Sequence, residues 1–270
     1  MKSIATANNT MATAISSPLH AEKTALPLAH QAIHDTVVAI LERFPRGKLL
    51  DVPAGQGALA ERLVAAGFDV RCCDLYPEIF RLENVEIRQG DLNRELPFDK
   101  DSFDYTVCVE GLEHIENPEQ AMREFARVLR PGGQLIVSVP NILNIEERLK
   151  WLIYGYTSHF KPITREQAAR LRAEYGNREE IAAHVNPIGY SELRYLLEKH
   201  GFEIAGLHRD KRKANAWLYW PIVALIRLIA ALTPRQKKTE RWTHELASNE
   251  VLLGGNTLIV HAILSRLWRE

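Results

Sequence analysis

The chain has 270 residues, of which 46% are hydrophobic, and its 34 Lys and Arg balance its 34 Asp and Glu. A chain of this length can bury a full core and exceeds one small domain. The formal net charge of +0 gives no global basic field, so we expect no nucleic-acid partner. The three cysteines show neither CxxC nor zinc-ligand spacing, which indicates buried, reduced thiols and a cytoplasmic protein.

The first 26 residues are predicted to form a flexible tail. They are rich in Ala, Thr, Ser and Asn and lack the continuous apolar core of a signal peptide. Apolar residues then recur at helical spacing over 27–44, which predicts a helix before the first strand.

The stretch from Lys48 to Leu63 predicts a strand, a tight loop and a helix in succession. The apolar strand predicted at 48–52 carries Asp51 near its end, and the small residues of the loop include Gly55 and Gly57, before a helix over 57–66. Glycine lets the backbone turn sharply and lets a ligand approach closely. This order is how an α/β sheet builds a nucleotide-type cofactor site, although similar turns also exist purely for packing.

Acidic residues follow each of the next predicted strands as well. Strands are predicted at 70–74, 84–88 and 103–109. Together with the first strand, they have an acid at or just after the carboxyl end: Asp51, Asp74, Asp91 and Glu110. We expect these four acids to face one edge of the sheet. An acid about 20 residues after a glycine loop can accept hydrogen bonds from both ribose hydroxyls.

These segments resemble, in order, the motifs of class I S-adenosylmethionine-dependent methyltransferases, in particular the ubiquinone-biosynthesis type that acts on small molecules. The resemblance runs from Leu49 to Pro140 and returns at 189–193 and 199–204. It implies an α/β fold: a Rossmann-like, seven-stranded, mostly parallel sheet with a C-terminal antiparallel hairpin and a helical insertion. It implies S-adenosylmethionine as cofactor, held by Asp51, Pro53, Gly55, Gly57, Asp74, Leu75, Asp91, Leu92 and Glu110. Pro53 departs from the glycine usual in the family, which leaves the loop path open.

Two other functions compete with this interpretation. Residues 55–60 also fit the dinucleotide fingerprint of an NAD(P)-dependent oxidoreductase. A pyrophosphate would then lie beside the negative charge of Asp51, whereas the cationic sulfonium and ammonium of S-adenosylmethionine tolerate an acid there. A non-catalytic regulator that keeps the fold is the second alternative.

The rest of the chain completes the predicted sheet. Helices are predicted at 118–130 and 190–200, and strands at 133–139, 202–209 and 256–265. Only about ten residues separate Asp74 from the third strand, too few for a crossover helix, so 75–77 should form an abbreviated turn. The predicted domain organisation is a cofactor-binding core at 27–140, a helical acceptor-site insertion at 141–186 and the C-terminal part of the sheet at 187–270.

The catalytic candidates are His114, Glu113 and His184. If the chain turns helically after the fourth strand, Glu110, Glu113 and His114 share one face. This segment resembles the Glu-x-x-Glu-His motif of ubiquinone-biosynthesis O-methyltransferases and of small-RNA 2′-O-methyltransferases that bind a divalent metal there, and His184 or His159 could complete such a site. The alternative, in which Glu110 holds the methionine end of the cofactor and the other two cap a turn, is favoured, so we expect no metal.

The expected reaction is O-methylation of a small or lipid-linked cell-envelope acceptor. The apolar segment 217–232 starts with Trp217, Tyr219 and Trp220 and has basic residues on both sides. This pattern is typical of a helix in a membrane interface, and it predicts peripheral contact with the inner membrane surface. A buried lid helix and a homodimer contact are the alternatives.

Overall fold

The computed structural model describes residues 25–176, 184–214 and 216–265. The predicted tail lies almost wholly outside these residues. Seven strands form one sheet in the order β3-β2-β1-β4-β5-β7-β6. Strands β1 to β5 run parallel to one another, and β7 runs antiparallel between β5 and β6. The predicted sheet and its C-terminal antiparallel hairpin are therefore confirmed. The strands are β1 Lys48–Asp51, β2 Asp69–Asp74, β3 Glu86–Gln89, β4 Phe103–Cys108, β5 Leu129–Pro140, β6 Phe202–Arg209 and β7 Thr257–Leu264.

Helices connect the strands and extend the C-terminal half. The predicted crossover helices are present, and 75–77 leads into a single 3-10 turn, Pro77–Ile79, as its length required. The helices are α1 Gln31–Leu41, α2 Ala58–Ala65, α3 Pro118–Val128, α4 Ile145–Tyr154, α5 Arg165–Tyr175, α6 Tyr190–Lys199, α7 Trp220–Leu232, α8 Arg235–Glu240, α9 Thr243–Leu246 and α10 Asn249–Leu252.

Strand β5 begins earlier than predicted. Leu129 pairs with Phe103 directly after α3, and the register shifts before Gln134 pairs with Tyr105. The Arg-Pro-Gly-Gly segment, residues 130–133, is thus an irregularity within β5, because β5 pairs with β4 both before and after it.

The core lies on both faces of the sheet. Leu49 packs with α1 and α2 on one face, while the next residue, Leu50, packs with α3 and α6 on the other. This alternation follows from the two-residue period of a strand. The result is a three-layer α/β/α arrangement with apolar side chains filling both interfaces.

A smaller apolar cluster joins α4 to the C-terminal helices. Ile145 of α4, Val223 of α7 and Leu252 of α10 are buried together. The N-cap of α4, Asn144, is fully buried and donates to the carbonyl oxygens of Asn141 and Gly255, which fixes the start of α4 against the end of β5. Among the helices in the described ranges, none has the length and apolarity needed to cross a membrane.

Candidate functional site

The four predicted acids gather at the carboxyl edge of the parallel strands. Asp51 and Asp74 are the last residues of β1 and β2, and Asp91 and Glu110 lie two residues beyond β3 and β4. These four strands are parallel and adjacent, so their carboxyl ends meet at one edge. That edge is where open α/β sheets bind ligands, and we call it the cofactor edge.

The glycine loop keeps a tight path despite Pro53, which follows Val52 through a cis peptide bond. The main-chain N–H of Ala54 donates to the carbonyl of Cys73 at 3.0 Å. Gly55 and Gly57 have φ values of 54° and 96°, a region that favours glycine. A Cβ on Gly57 would lie 2.8 Å from Phe80, so the loop also needs a residue without a side chain there.

Asp74 holds this loop to the end of β2. Its Oδ2 accepts the N–H of Gly55 at 2.8 Å, and its Oδ1 accepts the N–H of Tyr76 at 2.9 Å. Burial raises the pKa of Asp74, and these two hydrogen bonds oppose that shift. Each oxygen retains acceptor capacity for a ribose hydroxyl.

The neighbouring loop after β3 completes the predicted cofactor edge. The N–H of Gly90 donates to the carbonyl of Asp74, and the carboxylate of Asp91 accepts from the N–H and side chain of Asn93. Leu92 is buried, and Leu75 accepts a hydrogen bond from Gln89. The fold therefore brings these predicted cofactor residues to the same end of the sheet.

The environment of Asp51 distinguishes between the two candidate cofactors, S-adenosylmethionine and a dinucleotide. Asp51 is 1% exposed, and its Oδ2 has no hydrogen-bond partner among the described residues. Burial, followed by the charge of Asp74, raises its pKa to about 8. A buried carboxyl with one unpartnered oxygen suits a cationic ligand group and disfavours a pyrophosphate. The residues therefore fit S-adenosylmethionine, which, when bound, supplies an electrophilic methyl group on a sulfonium.

The segment after β4 differs from the predicted helical turn. Only Leu112–His114 form a 3-10 turn, and Glu110 precedes it with a φ of 49°. The N–H of Glu110 donates to Oγ of Ser138 at 2.9 Å. Burial raises the pKa of the Glu110 carboxyl to about 7, while hydrogen bonds with Thr257 and Ser138 oppose the shift. Glu110 thus contacts the ends of β5 and β7 as well as the cofactor edge.

The structure brings the three predicted catalytic residues together. The ring centroids of His114 and His184 are 4.8 Å apart, and the ring of His159 stacks on His184 at 6.1 Å. The N–H groups of Val185 and Asn186 donate to the carbonyl of Glu113 at 2.9 and 3.0 Å. These two bonds hold the insertion against the 3-10 turn. We call His114, His159 and His184 the histidine cluster.

The carboxyl of Glu113 lies close to two members of the histidine cluster, His114 and His184. Its side chain is fully buried, and neither carboxyl oxygen has a hydrogen-bond partner in the part of the chain that the structure describes. Burial, followed by the charge of Glu110, raises its pKa well above the usual range. One ligand atom each from Glu113, His114 and His184 lie within 4.8 Å of one another, a grouping that could hold a metal ion. The predicted absence of a metal stays a prediction.

His159 and Phe160 reach the site through a turn that α4 supports. The buried carboxylate of Glu147 accepts the N–H of Ser158 at 2.6 Å and pairs with Lys150 at 3.0 Å. The ring of Phe160 lies 5.6 Å from that of His184. Residues 177–183 of the predicted insertion lie outside the described residues.

Sequence reasoning missed Asp210, which follows β6. Its charge helps to raise the pKa of Glu110, and its buried Oδ1 has no partner among the residues described. Strands β5 and β6 both run antiparallel to β7, so they share a direction. Asp210, just after β6, therefore lies at the same edge of the sheet as the other acids. The rule of an acid after a strand would have found it. No comparable signal marked Ser138 or Thr257.

Comparisons with known proteins agree with this geometry. A family model described as a methyltransferase domain matches residues 50–137. Demethylmenaquinone methyltransferases from Bacillus cereus and Bacillus anthracis are 28% identical over 193 residues, which cover 64% of this chain and 77% of theirs.

Solved structures share the fold at low identity. An S-adenosylmethionine-dependent methyltransferase from Thermotoga maritima superposes with a TM-score of 0.50 at 16% identity, covering 86% of this chain and 87% of the other. A Haloferax volcanii protein in complex with a methyltransferase activator gives 0.52 at 18% identity, covering 87% and 90%. The matching model therefore gives this chain a methyltransferase domain over residues 50–137, and with the acids and glycines at the cofactor edge the protein is an enzyme that uses S-adenosylmethionine.

Proposed function

We propose that the enzyme transfers the methyl group to a hydroxyl oxygen of a small or lipid-linked acceptor. The observation that carries the proposal is the histidine cluster, two of whose members, His114 and His184, lie close to the carboxyl of Glu113. Imidazole is the side chain most often used to accept a proton near neutral pH. The insertion supplies His159 and His184, so the acceptor would lie between it and the 3-10 turn.

The chemistry requires position and a proton acceptor. The acceptor oxygen forms a bond to the methyl carbon as the methyl–sulfur bond breaks, and the hydroxyl proton passes to an imidazole nitrogen of His114. An in-line displacement depends strongly on holding the two reacting atoms in line at short range. Phe160 and the rings of His159 and His184 offer flat surfaces against which an acceptor can be oriented.

A divalent metal ion is a second route to the same reaction. The observation that favours it is the buried carboxyl of Glu113, whose oxygens have no partner among the described residues. Glu113, His114 and His184 would hold the ion, which would lower the pKa of an acceptor hydroxyl.

The names of the relatives supply a second candidate acceptor, demethylmenaquinone. This relation, at 28% identity, supports an acceptor that partitions into lipid.

The test is methyl transfer from labelled S-adenosylmethionine to reduced demethylmenaquinone and to soluble catechols, with the product position read by NMR. A new methoxy signal supports the proposal. A new methyl group on a ring carbon would show carbon methylation and would contradict the proposed O-methylation. Cofactor binding without transfer to any of these acceptors would favour the non-catalytic regulator.

A further inference from the structure

We propose that an apolar face, formed by the outward side chains of residues 151–154 and 217–232, docks on an anionic phospholipid surface. This inference deepens the proposed function, because a lipid-linked acceptor would be met at that surface. Docking itself needs neither cofactor nor acceptor, so it can be tested independently of methyl transfer.

Helix α7 carries more apolar surface than its packing uses. Its inward side chains, Val223 and Ile226, pack on the cluster around Ile145. A second apolar row on the same helix includes Leu225 and Leu232, which are 55% and 74% exposed. A helix that served only as an internal lid would place polar residues on this row.

The end of α4 adds a second apolar segment to the same face. Trp151 and Leu152 are 57% and 80% exposed, and the two residues that follow are also exposed. The structure joins this helix to the other segment, because Ile145 packs with Val223 and Glu146 forms an ion pair with Lys213 at 2.9 Å. Large exposed apolar patches mark interaction sites.

Charge identifies the occupant as an anionic lipid surface. The segment 211–241 contains eight basic residues and one acidic residue, in a chain whose net charge is +0. The side chains of Lys211 and Arg212 are exposed beside the apolar segment. Exposed Trp217 and Trp220 are the residue type that favours the membrane interface. Basic and aromatic residues around an apolar helix match an anionic headgroup layer.

The geometry indicates a helix in the interface rather than across the bilayer. Helix α7 has 13 residues, which corresponds to a length of about 20 Å at 1.5 Å per residue, against a hydrocarbon core of about 30 Å. Each segment of the apolar face, or its basic flank, lies close in sequence to a residue of the histidine cluster or of the cofactor edge. His159 follows α4 by five residues, and Asp210 directly precedes Lys211. Docking would therefore hold the mouth of the site close to the lipid.

The experiment is co-sedimentation of the full-length protein with vesicles of phosphatidylcholine, with and without phosphatidylglycerol, at low and high salt. We expect binding that requires phosphatidylglycerol and decreases with salt, together with a blue shift of tryptophan fluorescence. Lys211→Gln with Arg212→Gln should weaken binding at least about tenfold. Lys213 is left intact because it pairs with Glu146.

Two further double variants distinguish the effects of local basic charge and of apolar contact on vesicle binding from a general loss of folding. Lys48→Gln with Lys100→Gln removes two exposed charges near the amino ends of β1 and β4 and should leave vesicle binding unchanged. Trp217→Ser with Trp220→Ser should abolish vesicle binding while the affinity for S-adenosylmethionine, measured by calorimetry, is retained.

The absence of wild-type binding to phosphatidylglycerol vesicles at low salt would overturn the proposal. So would a dimer, found by light scattering, that the double tryptophan variant dissociates, because a second copy would then cover the face. Failure of every acceptor assay alongside normal vesicle binding would overturn the proposed function and leave the docking surface standing.

Discussion

The N–H of Gly55 and the carboxylate of Asp74 meet at 2.8 Å, which ties the loop after β1 to the end of β2. The other carboxylate oxygen holds the N–H of Tyr76. One buried acid therefore shapes the two loops that form the cofactor edge and keeps acceptor capacity for a ligand.

Replacing Asp74 with Ala should weaken binding of S-adenosylmethionine at least about tenfold and lower the thermal midpoint. Two partly buried N–H groups lose their acceptor, and leaving each one unpaired costs up to about 1–3 kcal/mol. Calorimetry and thermal unfolding provide the two readouts, with Asp99→Ala at an exposed acid as the control. Unchanged affinity in the Asp74 variant would exclude this role.

The ligand-free protein should lose stability as pH rises from about 4 to 8. The native pKa of Asp51 is about 8, against 3.8 for an ordinary aspartate. Between these values the native carboxyl keeps its proton while the unfolded one ionises, so the free energy of unfolding falls with pH. Thermal unfolding at constant ionic strength should show a smaller decline for Asp51→Asn. An equal decline in both proteins would contradict the assignment.

His114→Ala should lower turnover by about 100-fold or more while the affinity for S-adenosylmethionine stays nearly unchanged. The expected loss is that of the proton acceptor, since His114 lies beside His184 and not in the glycine loop. His244→Ala removes an exposed histidine and serves as the control. Normal turnover in the His114 variant would reduce His114 to a turn-capping residue.

Treatment with a chelator followed by gel filtration should leave turnover intact if His114 acts as a base. Burial then favours the neutral form of the Glu113 carboxyl, in the direction of its raised pKa. Loss of turnover that is restored by added Mg²⁺, Mn²⁺ or Zn²⁺ would instead make Glu113, His114 and His184 metal ligands. Metal content measured before and after treatment serves as the control.

Glu147→Gln should raise the KM for the acceptor more than it changes the affinity for S-adenosylmethionine. The change weakens the carboxylate contacts to Ser158 and Lys150 that fix the turn before His159. Glu203→Gln, at an exposed position in β6, is the matched control. Equal losses of cofactor and acceptor binding would indicate general unfolding of α4 instead.

The sequence by itself determined the cofactor half of this protein. Asp51, Gly55 and Asp74 lie within one strand-loop-helix-strand unit, and parallel strands joined by right-handed crossovers have few ways to pack. Their shared edge therefore follows from local pattern and order. With Pro53 in the loop after a cis peptide bond, these residues still lie at that edge.

Only the tertiary structure decided what surrounds the acceptor. His184 is 70 residues from His114 along the chain, and Ser138 and Thr257 reach Glu110 through strand pairing that no local pattern specifies. The hydrophobic periodicity could not predict the exposure of α7 either. Whether an apolar helix is buried or exposed depends on which surfaces of the folded protein are available for it to pack against. Local periodicity identifies an element, whereas side-chain neighbours depend on contacts between residues far apart in the chain.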